Sequence, residues 1–525
     1  MLFRSVQELV EQGVLVRDGV ETRRSASLST DLHLPPTVQG ILAARIDRLT
    51  PEEKALLQQL SVIGRQFPLS LVRQVITQPE ADLYRLLASL QRKEFLYEQP
   101  AFPESEYLFK HALTQDVAYG TVLQEQRKVL HERMGQALET VYGATLHEHY
   151  SDLAHHYRRS PNTEKAITYL QLAGQQAVHR SANTEAINHL TAALELLLTR
   201  PETPERAAQE LTLRLAVGPP LMAAQGWAAP AVEQHYTRAR ALCAQLGDAP
   251  QHVPMLFGLW VFHLVRGELR MAQALAEECL QIAEQAHEAG LLCEAHHAAG
   301  VTLFFRGEFV RARGALEQSV AHYQPQHQAL TPLYGGFNPK VVSLAWMALT
   351  LWSLGYPEQA RMRMHEALHL AQELGHPHSL VVALLWAGWL HLWRREGRVA
   401  QEHADAEVAL SSEHGFPFFL AAGTVQRGQA LIAQAQWVEG VAQVRQGLEV
   451  YAGEAWRTGY LVWLARGYAG AGQVEEGLAA IAEALRLVEK NDERFYEAEV
   501  YRIKGELLLA QEGLRLQAVG RRRKT

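Results

Sequence analysis

A glycine that ends one helix and opens the next recurs along most of the chain, and nothing else in the sequence restricts the fold as much. Gly267 opens GELRMAQALAEECL, Gly307 opens GEFVRARGALEQSV, Gly355 opens GYPEQARMRMHEAL, Gly397 opens GRVAQEHADAEVAL and Gly472 opens GQVEEGLAAIAEAL. The intervals are 40, 48, 42 and 75 residues, the last read as two units with a degenerate turn near Gln436. The fifth residue after each glycine is Ala272, Ala312, Ala360, Glu402 or Gly477, and the twelfth is Cys279, Ser319, Ala367, Ala409 or Ala484. Small residues seven apart share one helix face and let a neighbouring helix approach closely. Ala166 with Ala173 and Ala186 with Ala193 repeat the pair earlier; Glu402 is the misfit. A unit of this length cannot bury its own apolar face, so stacked units must supply the core. The expectation is an all-α helical-repeat solenoid.

Composition agrees with a globular chain: of 525 residues, 48% are hydrophobic and 20% charged, enough apolar material for a core. The net charge of -7 gives no global attraction to nucleic acid. Cys243, Cys279 and Cys293 show no CxxC spacing and fit small apolar helix positions, as in a reducing cytoplasm. The start, MLFRSVQELVEQG, lacks a signal-peptide pattern, and no window is apolar enough to span a membrane. A cytoplasmic location follows as an expectation.

Residues 1–18 read as a helix and 19–36 as a linker ending in Pro35-Pro36. Helical patterns follow at Val38–Leu49, Pro51–Ile63, Leu69–Ile76 and Ala81–Gln91; Thr50-Pro51-Glu52-Glu53 is a helix start with cap, proline and acids. Phe95–Tyr97 and Tyr107–Phe109 flank a turn-rich segment and read as a hairpin. Short helices followed by a hairpin make residues 36–111 winged-helix-like. Residues 112–146 read as connecting helices, 147–511 as the solenoid, and 512–525 as a disordered basic tail around Arg521–Lys524.

The small-residue pair, the turn and the unit length resemble tetratricopeptide (TPR) repeats. LPPTVQGILAARIDRLTPEEKALLQQLSVIGRQFPLSLV (34–72), EFLYEQPAFPESEYLFKHALTQDVAYGTVL (94–123) and LAHHY (153–157) are similar to segments of bacterial multidomain STAND-type ATPase and adenylate/guanylate cyclase signalling proteins. The resemblance covers roughly residues 8–511. It implies a winged-helix-like segment and TPR-like sensor repeats following a P-loop ATPase, with residues 1–35 as the remnant of the ATPase lid and linker. It also implies a nucleotide-binding domain of the parent protein as partner. ATP and magnesium belong to that absent domain, because the chain holds no GxxxxGK[ST] with which to cradle phosphates. No cofactor is expected in this chain, and both ends read as those of a fragment or split gene. The expected function is a non-catalytic sensor or scaffold that binds a protein or small ligand in its concave groove.

Two other classes match parts of the sequence. His365-Glu366-Ala367-Leu368-His369 matches the HExxH pattern of a zinc hydrolase, in which both histidines bind metal and the glutamate activates water. The register opposes it, since Ala367 and Leu368 occupy the packing positions and turn His365 and His369 outward. A winged-helix transcriptional regulator is the other class. Arg45, Arg48, Lys54, Arg65, Arg73 and Arg85 are interleaved with Asp47, Glu52, Glu53, Glu80 and Asp82, which argues against a phosphate-binding face. The ligand-site candidates are Trp386, Trp389 and Trp393, at helical spacing, with Arg394 or Arg395 beside them.

Overall fold

The computed structural model describes residues 36–522 apart from 102, 103, 248 and 452. The expected helix at 1–18 and the lid remnant at 1–35 lie outside the described residues. The chain divides into two compact units after Gln124.

The first unit holds α1 (Pro36–Asp47), α2 (Pro51–Ile63), β1 (Gln66–Pro68), α3 (Leu69–Val75), α4 (Glu80–Arg92), β2 (Leu96–Gln99), β3 (Glu106–Phe109) and α5 (Ala112–Gly120). The start of α2 is a capping box: Thr50 Oγ1 accepts from the Glu53 amide, and Glu53 Oε2 accepts from the Thr50 amide. Glu53 is buried and also takes Lys93 Nζ at 2.6 Å and Ser89 Oγ at 2.7 Å. Burial pushes its carboxyl up, but these hydrogen bonds outweigh it and hold the pKa at about 2. The expected hairpin is present as β2 and β3. Strand β1 has no counterpart in the sequence reading. It pairs antiparallel with β3, giving the order β1-β3-β2, and its three residues are too few to show alternation.

The second unit is an all-α, TPR-like solenoid of antiparallel helix pairs. Backbone conformation, more than glycine, punctuates it. Gly267, Gly307, Gly355, Arg395, Ala435 and Gly472 all have φ between 62° and 84° at the turn between paired helices. Their spacings are 40, 48, 40, 40 and 37 residues. The long interval carries an inserted 3₁₀ segment, Pro325–Leu333. The turn before Gly397–His414 is therefore at Arg395, and the sequence register counted from Gly397 is two residues late. Counted from Arg395, the fifth and twelfth residues are Ala400 and Glu407, both fully buried, whereas Glu402 and Ala409 are exposed. The misfit at Glu402 disappears. A glutamate instead occupies a packing position, against Gly423, with neither oxygen hydrogen-bonded. Burial raises its pKa well above the usual range.

The solenoid closes on itself from turn to turn. The amides of Glu454 and Ala455 donate to Val265 O at 2.9 and 3.1 Å, and those of Arg494 and Phe495 donate to Phe305 O at 2.8 and 3.1 Å. Val265 and Phe305 end helices Ala249–Val265 and Ala289–Phe305, where carbonyls lack intrahelical partners. Each is capped by a loop 189 residues later in the chain. Aromatic rings fill the space between turns: Phe305 packs on Trp346, Trp456 and Phe495 with centroids 5.2–5.4 Å apart, and Trp227 stacks on Phe418 at 5.1 Å. Glycine is needed at two turns for space as well as for φ. A Cβ at Gly267 would meet Asn491 and Glu454, and one at Gly307 would come within 3.3 Å of Arg494, whereas Gly355 and Gly472 face nothing within 4 Å.

The final helix is Glu497–Arg522. It runs on through residues 512–522, where a disordered tail was expected; that stretch has no proline, and Leu514, Arg515, Leu516 and Ala518 favour helix.

Candidate functional site: an arginine–tryptophan cavity

Helix Pro377–Trp393 is apolar on all sides, because it packs both on its neighbours and across the closed coil. That position divides the tryptophans. Trp386 is 4% exposed, with Trp346 at 4.4 Å and Trp456 at 5.5 Å between ring centroids. Trp389 is 1% exposed, packs on Tyr460, and presses against Gly459, where a Cβ would sit 2.7 Å from the indole. Both belong to the packed interior. Trp393 lies at the end of the helix, is half-buried, and stacks on Tyr496 at 6.0 Å. Arg394 turns back on its own loop, where its guanidinium donates to both oxygens of Glu396 at 2.9 and 3.0 Å. Of the expected site residues, Trp393 and Arg395 line one cavity, whereas Trp386, Trp389 and Arg394 do not line it.

That cavity measures 480 Å³. Its distinctive lining is Trp393, Trp463, Tyr496, Arg395, Arg466 and Arg502. Helix Arg457–Gly470 supplies Trp463 and Arg466 one turn apart, and the Arg466 guanidinium lies 4.2 Å over the Trp463 ring. The turn at Arg395 supplies its exposed side chain to the rim. Helix Glu497–Arg522 brings Arg502, which is committed to Glu499 at 2.6 Å and to Glu506. Among the described residues neither Arg395 nor Arg466 makes an ion pair, so two cations share the cavity without a carboxylate of their own. Burial lowers the pKa of Arg466; Tyr496 and Glu499 oppose this, and Arg502 and Arg395 add to it. Burial pushes the Tyr496 phenol up, with the Trp463 and Trp393 indoles facing its hydroxyl. The sequence signal for Arg466 was a lone cation inside the apolar run LVWLARGY, three residues after a tryptophan.

A second cavity of 490 Å³ is lined by His179, Arg180, His376 and His378 among others. His378 Nδ1 donates to Gly336 O at 3.1 Å, and burial, with His376 adding, brings its pKa down to about 3. Its imidazole is therefore neutral. Ser343 and His297 make a 2.9 Å contact that resembles a nucleophile–base pair, but both are buried in the core, out of reach of a substrate.

His365 and His369 are exposed with rings 6.5 Å apart; His369 meets Glu373 at 3.4 Å, and Glu366 meets Arg363 at 2.8 Å. Among the described residues no three His, Cys, Asp or Glu side chains converge as a metal site. No described helix is long and apolar enough to cross a membrane. In the first unit, Lys54 pairs with Asp47 at 2.6 Å, Arg73 with Glu80 at 2.7 Å, and Arg85 with Asp82 at 3.2 Å. Arg45 bonds Lys93 O and covers the Phe95 ring.

No family model matches the chain. It is 24% identical over 507 residues to an uncharacterized protein of Rhizobium meliloti (strain 1021), a match covering 95% of this chain and 49% of that protein. The chain thus spans about half the length of the curated relative it matches. Among solved structures it is similar to a STAND signal-transduction ATPase with a tetratricopeptide repeat sensor from Pyrococcus horikoshii, at TM-score 0.48 and 11% identity, covering 93% of this chain and 68% of that one. It is also similar to a Rap protein complexed with competence and sporulation factor, at TM-score 0.43 and 10% identity, covering 66% of this chain and all of that one.

Proposed function

We propose that the chain is the non-catalytic sensor and scaffold part of a signalling ATPase or cyclase system, binding a ligand or protein through its TPR-like coil. The observation that carries the reading is the coil's closure. Two helix-end carbonyls are capped by backbone amides from the next turn, and a cavity lies beside one of those contacts, at Phe495 and Tyr496. A ligand there touches residues of both turns, so binding couples to opening and closing of the coil. The first unit, read as a winged-helix-like domain, would relay that state to a nucleotide-binding domain of the parent protein. Its cations are largely matched to acids or stacked on rings, which supports a protein-facing role over DNA contact.

The test is turnover and metal content. The purified chain is expected to hydrolyse neither ATP nor GTP with magnesium and to carry zinc well below one per chain. Hydrolysis by this chain, or stoichiometric zinc lost on replacing His365, overturns the reading.

A further inference from the structure

We infer that the cavity between Trp393 and Arg466 takes a small organic anion bearing a flat ring, with the charge on the Arg466 and Arg395 guanidiniums and the ring against Trp393 and Tyr496. The inference rests on the binding-module reading and names the ligand chemistry.

Three features of the cavity support it. The first is charge. Glu499 also lines the cavity and acts on Arg466 at longer range, but it is ion-paired with Arg502, as is Glu506, while Arg466 and Arg395 form no ion pair among the described residues. Two like charges in a partly desolvated site repel, and burial already lowers the Arg466 pKa. An anion between them removes that repulsion and replaces lost hydration with charge-assisted hydrogen bonds. Guanidinium forks suit a phosphate, sulfonate or carboxylate.

The second is shape and surface. Trp352, Trp393, Trp463, Phe309, Phe495 and Tyr496 supply flat rings around a 480 Å³ space. That volume suits a small-molecule ligand of mononucleotide size. A neutral apolar ligand would leave the guanidiniums unpaired, and an inorganic ion alone would leave the rings uncovered.

The third is location. The lining comes from residues 309 and 352–353 on one side and from 463–466 and 495–502 on the other. The second group includes Phe495, whose amide caps Phe305 O at 3.1 Å. An occupant therefore touches both sides of the turn-to-turn contact and holds it shut.

The test is calorimetric titration of the full chain with naphthalene-2-sulfonate, its uncharged analogue naphthalene-2-sulfonamide, and inorganic phosphate. The sulfonate is expected to bind once per chain, and the sulfonamide and phosphate at least roughly tenfold more weakly, a difference of about 1.4 kcal/mol. Arg466→Met keeps the stem over Trp463 but removes the charge, and is expected to weaken the sulfonate at least about tenfold. Arg398→Met, at an 88% exposed arginine outside the cavity, is expected to change nothing. Bound sulfonate is also expected to slow amide exchange at Arg494 and Phe495. Equal affinity for sulfonate and sulfonamide, an unaffected Arg466→Met with native melting, or no sulfonate binding near roughly 1 mM overturns the inference. None of these outcomes bears on turnover, by which the binding-module reading is tested, and turnover would sink that reading without altering sulfonate binding.

Discussion

Glu493 sits in the loop that seals the coil, one residue before Arg494, whose amide caps Phe305 O. It is 1% exposed; Oε2 accepts from Thr458 Oγ1 at 3.2 Å and Oε1 has no partner. Burial raises its pKa from 4.5 to about 8, against the hydrogen bonds from Thr458 and the Trp456 backbone. The folded loop thus keeps a proton that the opened loop releases near pH 4.5. Between those values the folded state binds more protons, so its stability falls as pH rises. At about 1.4 kcal/mol per unit, ionisation costs about 3 kcal/mol at pH 7 relative to acid, and about 2.5 kcal/mol of loss falls between about pH 5 and 7. Glu493→Gln keeps an acceptor for Thr458 and removes the titration. Hydrogen exchange at Arg494 and Phe495, corrected for the intrinsic pH dependence of exchange, reads the loop directly. The wild-type opening equilibrium is expected to increase roughly 50- to 100-fold from about pH 5 to 7, and that of Glu493→Gln to stay nearly flat. Equal slopes in the two proteins would refute the reasoning.

Gly307→Ala places a Cβ against Arg494 in a left-handed turn, so a loss of about 2–3 kcal/mol in urea unfolding is expected. Gly355→Ala meets open space and is expected to lose only about 1 kcal/mol; equal losses would remove the closure contact from the account. Ala435 holds φ 62° without being glycine, so Ala435→Gly is expected to raise the melting temperature slightly, a gain of up to about 1 kcal/mol, and a lower midpoint would contradict the strain. His131 and His156 are buried with their Nδ1 atoms 3.0 Å apart. Burial first, then neighbouring imidazoles and arginines, lowers both pKa values, that of His131 to about 3. The folded pair stays neutral where the unfolded histidines protonate, so stability present above pH 6.5 is lost as pH falls below it. His156→Leu is expected to flatten that acid slope in thermal melts, and an unchanged slope would assign it elsewhere.

The solenoid was legible because stacking needs small residues at a fixed spacing, and Ala272, Ala312 and Ala360 display them. The register failed where it was tied to a residue type. What the turn requires is φ > 0, and Arg395 and Ala435 supply it at a modest strain that leaves no mark in sequence. Gly397 drew the count two residues late and hid Glu407. The outward face of His365 and His369 followed from register alone. The tryptophan triplet was visible, but its division was not. Trp386 and Trp389 are covered by Trp456 and Tyr460, some 70 residues away in the chain, and only the closed coil puts them there. The same holds for Arg466, whose cavity needs Tyr496 from the following unit.

The closed coil is tested most directly by a distance. Nitroxides at Arg266→Cys and Lys490→Cys, both half-exposed, label cleanly because Cys243, Cys279 and Cys293 are buried. Closure sets Gly267 against Asn491, so an electron–electron distance below about 25 Å is expected, as for neighbouring helices with long labels. An open stack of the intervening helix pairs, at about 9 Å per helix, would give a distance beyond roughly 40 Å and would contradict the account.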